Sequence, residues 1–155
     1  MSGINTISLF VFLFSTTIQA GNIEFVAPSN IRKKEIEYRK KYIDLNGAYA
    51  NANIFAVAYW SLNGIDKTLL FLQLDGQCRV VEFSTPENNT TDGILLDSPW
   101  CKFKSKPTIE KRGDESIIKY AVKIKNDTSP KEIRLNNKTG EICSNSFGNI
   151  DMQCP

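Results

Sequence analysis

Three apolar runs separated by two turn dipeptides constrain the fold of this chain more than any other feature. The runs lie within residues 54–83, and the dipeptides between them are Asn63-Gly64 and Asp75-Gly76. Both dipeptides tolerate the positive φ angles that a two-residue type I′ turn requires at its central positions. The segment is therefore predicted to form an antiparallel meander of three strands.

The two turns also predict which residues face each other across the meander. The first turn places Ala58 opposite Leu69 and Ala56 opposite Phe71, and the second places Phe71 opposite Val80. Since side chains alternate between the faces of a strand, one face of this sheet is predicted to carry Ile54, Ala56, Ala58, Trp60, Leu69, Phe71, Cys78 and Val80. The opposite face is predicted to carry Phe55, Val57, Tyr59, Leu70, Leu72, Val81 and Phe83. Both faces are apolar at their centres, so we expect both to be covered.

The residues before the meander show the spacing of an amphipathic helix over residues 31–45, which ends at the C-terminal signal Asn46-Gly47. The apolar stripe of this helix consists of Tyr38, Tyr42 and Leu45. The alanine-rich run that follows, residues 48–58, either begins the first strand or prolongs the helix, and its period of two favours a strand. Small alanine side chains would allow the helix to pack closely on the sheet.

Two further hairpins are predicted after the meander. Residues 84–99 have the composition of a loop, rich in Asn, Thr, Asp and Pro. Residues 107–125 are predicted to form a hairpin that turns near Gly113-Asp114, and residues 131–135 and 141–143 a last hairpin. The predicted fold class is therefore α+β, with the N-terminal helix packed on a mainly antiparallel sheet.

Residues 1–20 have the composition of a signal peptide. The apolar core over residues 7–14 is much shorter than the roughly 20 residues of a membrane span, and Ala20 provides a small side chain for cleavage. We interpret residues 21–155 as a single mature domain without a membrane span, either secreted or periplasmic. An uncleaved anchor or a buried strand over residues 1–20 is the alternative.

The mature part contains four cysteines, Cys78, Cys101, Cys143 and Cys154. An even number of cysteines behind an export signal indicates disulfides formed in an oxidising compartment. Of the three connectivities that four cysteines allow, Cys78–Cys101 with Cys143–Cys154 is favoured because nearest neighbours close the shortest loops. A zinc site is the alternative, but the chain has no Cys-x-x-Cys pair and no histidine, so no metal ligands are predicted.

The absence of histidine excludes several classes of catalytic site. It removes the Ser-His and Cys-His nucleophile pairs and histidine acid–base chemistry. The carboxylates that cluster, Glu110, Asp114 and Glu115, lie at a predicted hairpin tip, where water is not excluded. No phosphate-binding or calcium-binding loop motif is present. We therefore expect neither enzymatic activity nor a cofactor.

Two groups of residues are candidates for binding. Arg112, Gly113 and Asp114 form the tripeptide that integrins bind, although Gly-Asp is also ordinary turn chemistry. Lys119 and Lys123 lie on the polar face of the same hairpin, and the rest of this basic surface consists of Lys102, Lys104, Lys106 and Lys125. Such lysines either meet an acidic partner or keep a sheet edge soluble.

Four Asn-x-Thr motifs, at Asn88, Asn89, Asn126 and Asn137, are candidate glycosylation sites in surface loops. Trp100 precedes a cysteine, and an aromatic side chain in this position is expected to pack against the disulfide.

These features together predict a secreted, non-enzymatic protein that binds another macromolecule, of the inhibitor, immunity or effector type. A protein partner is expected rather than a nucleic acid, because the net charge is only +2 and aromatic residues do not alternate with the lysines. The alternatives are a carrier of a small apolar ligand and an adhesion module that uses the tripeptide at residues 112–114. The sequence leaves the partner's identity and the oligomeric state open.

Overall fold

The computed structural model describes residues 23–25, 51–85, 93–146 and 150–155. Within these residues the chain forms nine strands: β1 Glu24–Phe25, β2 Asn53–Leu62, β3 Ile65–Leu74, β4 Gln77–Thr85, β5 Gly93–Pro99, β6 Cys101–Arg112, β7 Glu115–Ile124, β8 Asp127–Asn136 and β9 Ile142–Ser144. They build two antiparallel sheets, a first sheet in the order β1-β2-β3-β4-β5 and a second sheet in the order β6-β7-β8-β9. Neighbours in each sheet are also neighbours along the chain.

The predicted α+β class is wrong for the described part of the chain, which is all-β in two sheets. The predicted helix over residues 31–45 and the predicted signal peptide over residues 1–20 lie outside the described residues. Within the described ranges no helix has the length and apolar character needed to cross a membrane.

The loop predicted over residues 84–99 is also wrong in its second half, because Gly93–Pro99 forms strand β5 and pairs with β4. Leu95 and Leu96 are buried there. This short apolar run forms an edge strand beside β4. Its pairing with β4 outweighs the turn-like composition of the neighbouring residues.

The predicted register of the meander is confirmed: Ala58 faces Leu69, Ala56 faces Phe71, and Phe71 faces Val80. The first turn has the two positive φ angles of a type I′ turn, 53° at Asn63 and 77° at Gly64. In the second turn only Gly76 has a positive φ. An Asp-Gly dipeptide also suits a turn with a single positive φ, because the glycine occupies the left-handed position and the aspartate does not.

A β-bulge between Ile54 and Ala56 exchanges two side chains between the predicted faces. Phe55 packs in the core between the sheets and stacks on Phe103 with ring centroids 4.9 Å apart, whereas Ile54 packs on the other face. A bulge adds one residue to one strand, so a register counted from the turn is correct only up to that point.

The two sheets pack face to face around one core. At its centre the ring centroid of Phe71 lies 5.4 Å from that of Tyr120 and 5.9 Å from that of Phe103, both in edge-on geometry. The aliphatic part of this core includes Ala56, Ala58, Leu69, Val80, Leu96, Ile118, Val122, Ile133 and Leu135. The other face of the first sheet carries a second buried cluster of Ala52, Val57, Leu70, Leu72, Val81 and Phe83. Both faces are therefore covered, as predicted.

The second sheet contains the two predicted hairpins; the first is longer than predicted, whereas in the last one β8 is longer but β9 has three residues, as predicted, shifted to Ile142–Ser144. The hairpin around Gly113-Asp114 extends back to Cys101, and β8 begins at Asp127 after a two-residue turn at Lys125-Asn126 that the sequence did not indicate. The outer strand β6 carries two irregularities of register and Pro107. These features, with its alternating lysines, protect an edge strand against pairing with another chain.

Both predicted disulfides are confirmed. Cys78–Cys101 joins β4 of the first sheet to β6 of the second, and Cys143–Cys154 ties the C-terminal segment to β9. The segment also contacts both sheets through its backbone, because Met152 O accepts from Ser144 N at 2.7 Å and Asp151 N donates to Ile94 O at 3.0 Å. Two cysteine pairs at disulfide distance are compatible with an oxidising, exported compartment.

Replacing Cys143 and Cys154 together by Ala is expected to lower the free energy of unfolding by about 3 kcal/mol, because the bridge restricts the unfolded chain. Urea denaturation measures this loss. Hydrogen exchange should show faster exchange at the amides of Asp151 and Met152, with little change in β3. Complete loss of folding would contradict a fold whose core does not depend on this segment.

Candidate binding site

The chain passes from the first sheet to the second through Trp100, which lies between β5 and β6. Its backbone has a φ of 54°, in the left-handed region, and its side chain is 75% exposed. The expectation that Trp100 packs on the neighbouring disulfide is therefore wrong. Cys78 and Cys101 are already buried in the core between the sheets, so the bridge needs no shielding by the indole.

Gln73 of β3 fastens the start of β6 to the first sheet. Its Nε2 atom shares two hydrogens among three carbonyl oxygens, and those of Leu74 and Gln77 lie 2.9 and 3.1 Å away within the first sheet. The same atom donates to Cys101 O at 2.9 Å, and its Oε1 atom accepts from the amide nitrogen of Phe103 at 3.1 Å. One half-buried amide thus provides hydrogen-bond partners for backbone groups of both sheets.

Two turns are bonded to the same corner. The amide nitrogen of Cys101 donates to Gly76 O in the β3–β4 turn at 3.0 Å, and the amide nitrogen of Lys125 in the β7–β8 turn donates to Trp100 O at 3.4 Å. The backbone on either side of Trp100 is therefore held by both neighbouring turns and by a disulfide.

An open depression of about 660 Å³ lies at this corner. It is lined by Gly76, Trp100, Cys101, Lys102, Lys123 and Lys125, and we refer to it as the Trp100 site. Lys102 and Lys123 face each other directly across β6 and β7. Like charges in this position destabilise a sheet. Among the described residues no carboxylate lies within ion-pair distance of these three lysines.

Backbone strain is concentrated at the Trp100 site. The described part of the chain has three non-glycine residues with positive φ, Asn63, Trp100 and Lys125. Asn63 occupies a turn position that suits asparagine. Trp100 and Lys125, at 54° and 56°, are residue types that rarely adopt this conformation, and both line the depression.

The integrin-type tripeptide occupies the hairpin tip predicted for it, but its charged groups already have partners. Arg112 Nε lies 2.5 Å from Glu110 Oε1, and Asp114 Oδ2 lies 2.7 Å from Lys138 Nζ. Gly113 supplies a positive φ of 58° to the turn. Gly113 thus serves the turn itself, while Arg112 and Asp114 form surface ion pairs.

The two lysines proposed as binding residues occupy different environments. Lys119 forms an ion pair with Glu110, whereas Lys123 lines the Trp100 site with Lys102 and Lys125. The structure therefore brings together only part of the basic surface inferred from the sequence. Lys104 and Lys106 are exposed on β6 and do not line the depression.

The candidate glycosylation sites also differ. Asn126 is exposed in the β7–β8 turn next to Lys125, whereas the Oδ1 atom of Asn137 accepts a hydrogen bond from Ser116 Oγ at 2.9 Å. Asn88 and Asn89 lie outside the described residues.

A second depression, of about 480 Å³, lies beside the Cys143–Cys154 bridge. Its charged lining residues have both signs, namely Glu115, Arg134 and Glu141. Opposite charges cancel much of each other's field, so this depression offers less electrostatic selectivity than the Trp100 site. Within the described ranges no group of three or more His, Cys, Asp and Glu side chains could hold a metal ion.

The sequence did not assign to a binding site either Trp100 or Gln73, whose side-chain amide holds the backbone beside Trp100. Gln73 could have been noticed as a polar residue within the apolar run of β3. Trp100 follows Pro99 and precedes a cysteine, which marks a junction, but no local pattern indicates its left-handed backbone.

The chain matches no protein-family model, and it matches no curated protein and no solved structure.

The variant Trp100→Gly is expected to be more stable than Trp100→Ala by about 1 kcal/mol, because both lack the indole but only glycine avoids the Cβ clash of a left-handed backbone. Urea denaturation of the two variants measures the difference. Lys111 is the control, because it is an exposed, regularly paired residue of β6 whose φ is not positive, and glycine there should be less stable than alanine. A Trp100→Ala variant at least as stable as Trp100→Gly would show that the backbone at residue 100 is not strained.

The pKa of Glu110 gives a test of the hairpin tip. A hydrogen bond from Arg112, and a second from Lys119, lower this pKa from 4.5 to about 2. Folding thus favours the ionised carboxylate, so its contribution to stability is complete above pH 4.5 and is lost as the pH falls towards 2. An NMR titration should place the midpoint near 2, and Arg112→Gln should raise it. A midpoint at 4.5 in the native chain would show that the ion pair does not form in solution.

Proposed function

We propose that this protein is exported, non-enzymatic, and binds another macromolecule through the Trp100 site. The observation that supports this proposal most strongly is that two strained residues, Trp100 and Lys125, line the same depression. A left-handed backbone destabilises a residue with a Cβ by roughly 1–2 kcal/mol. Strain of this kind persists where the surrounding structure enforces it, and it clusters at functional sites.

The side chain at the centre of the site suits recognition of a macromolecule. Tryptophan is enriched among the residues that dominate binding energy at protein interfaces. Trp100 exposes 75% of its surface, whereas the other tryptophan, Trp60, exposes 1%. The bonds from Gln73 and the two turns fix the backbone beneath the indole, so less conformational entropy is lost on binding.

Export and the absence of catalysis have separate support. The two buried or half-buried disulfides suit a secreted or periplasmic protein, as the signal-like residues 1–20 also suggest. The described residues that line the Trp100 site include no carboxylate, hydroxyl or imidazole group, and lysines are its only side chains capable of acid–base chemistry.

The two alternatives have less support. An apolar-ligand carrier needs an internal cavity, but aromatic rings of Phe71, Phe103 and Tyr120 occupy the centre of the space between the sheets. Adhesion through the tripeptide at 112–114 would require Arg112 and Asp114 to leave their present ion pairs.

The wild-type protein, immobilised, is expected to capture a specific macromolecule from the extracellular or periplasmic fluid of its source. Trp100→Ala should reduce this capture at least about tenfold, as expected for a central interface tryptophan. Ile65→Ala is the matched control, because Ile65 is another exposed apolar side chain, 44% accessible in the β2–β3 region, and its loss should leave capture unchanged. Capture that does not depend on Trp100, or substrate turnover lost on replacing one carboxylate, would overturn the proposal.

A further inference from the structure

We infer that the partner bound at the Trp100 site is an acidic protein segment, in which a large apolar side chain is flanked by Asp or Glu residues. This inference rests on the proposed function, since it names the chemistry of the partner for the same site.

Protection of a sheet edge does not explain every lysine of the site. Edge protection accounts for lysines on β6, such as Lys104 and Lys106, because β6 is the outer strand of the second sheet. Lys123 lies on β7, between two other strands, and is only half-exposed. It also stands directly opposite Lys102. A carboxylate placed between these two ammonium groups would convert their repulsion into attraction.

The exposed indole of Trp100 requires a partner that carries an apolar group as well as negative charges. Trp100 presents an apolar surface beside the aliphatic stems of Lys102 and Lys125, which can cover apolar groups while their ammonium ends remain in water. No side chain projects from Gly76, and a Cβ built there would meet nothing within 4 Å, so that side of the depression stays open. An apolar side chain of a partner would lose water against the indole while neighbouring carboxylates meet the lysines.

The groups that line the site favour a protein segment over other anionic partners. Sugar recognition needs polar groups for the hydroxyls, and the lining residues within the described part of the chain include no carboxylate, amide or hydroxyl side chain. Phosphate and sulfate are bound most specifically by the planar fork of arginine, whereas the three cations among the described lining residues are lysines. A nucleic acid would be expected to stack bases on several aromatic residues, and Trp100 is the one aromatic residue among the described lining residues.

A phage-displayed random peptide library tests this chemistry directly. Selection on the full-length wild-type protein, with counter-selection on Trp100→Ala, should enrich peptides in which Asp or Glu residues flank a Leu, Phe or Trp. Enrichment of neutral or basic peptides, or no enrichment at all, would overturn the inference.

The enriched peptide of highest count, labelled with fluorescein, then serves as the probe in fluorescence polarisation. The double variant Lys102→Gln/Lys123→Gln should weaken its binding at least about tenfold, and added salt should weaken binding to the wild type. The control Lys104→Gln/Lys106→Gln has the same change in charge on exposed positions outside the site, and its affinity should stay within about twofold of the wild type. Equal losses in the two double variants would show a general charge effect and contradict the inference.

A heparin oligosaccharide is the competing probe. Tighter binding of heparin than of the enriched peptide, lost in Lys102→Gln/Lys123→Gln, would assign the site to an anionic glycan and overturn the inference. This result is distinguishable from failure of the proposed function. If capture from the native fluid still depends on Trp100, a macromolecule is bound and only its assignment as an acidic protein segment fails.

Discussion

The link between β4 and the start of β6 holds the two sheets in a fixed relation. It is covalent through Cys78–Cys101, whose Cα atoms lie 5.4 Å apart, and it is hydrogen-bonded through Gln73, which binds backbone groups on both sides. Core packing alone would allow two sheets to slide or rotate by small amounts, because the hydrophobic effect has no directional preference. The directional bonds at this corner remove that freedom, and they also determine where Trp100 emerges.

Exposure of Trp100 and strain in its backbone have a common physical origin. The chain must leave β5, cross between sheets and enter β6 within one residue, and a left-handed residue makes this change of direction. Glycine or asparagine would adopt that conformation at less energetic cost. Trp100 and the neighbouring Lys125 both have this left-handed conformation, and Lys102 and Lys123 beside them are opposed like charges. Each of these features lowers the stability of the folded state. Binding a complementary partner would relieve the charge repulsion and bury the indole.

The sequence predicts the parts of this fold that depend on local chemistry. Asn63-Gly64 and Asp75-Gly76 determine the register from Ala56 to Val80, and nearest-neighbour pairing of cysteines gives both bridges. Features that depend on a distant partner were not predictable in this way. Strand β5 requires β4 beside it, and the bulge before Ala56 is visible only in the paired sheet. The residues of the site also depend on distant partners. Lys102 and Lys123 face each other only because β6 pairs with β7, whereas the charge of Lys119 is compensated by Glu110.

The exposure of Trp100 on a fixed corner can be measured by tryptophan fluorescence. The chain has two tryptophans, so the variant Trp60→Phe reports on Trp100 alone and Trp100→Phe reports on Trp60 alone. With accessible fractions of 75% for Trp100 and 1% for Trp60, Trp60→Phe should emit at the wavelength of a hydrated indole and be quenched readily by acrylamide, while Trp100→Phe should emit to the blue and resist quenching. Shielded, blue-shifted emission from Trp100 in the folded Trp60→Phe variant would contradict the account.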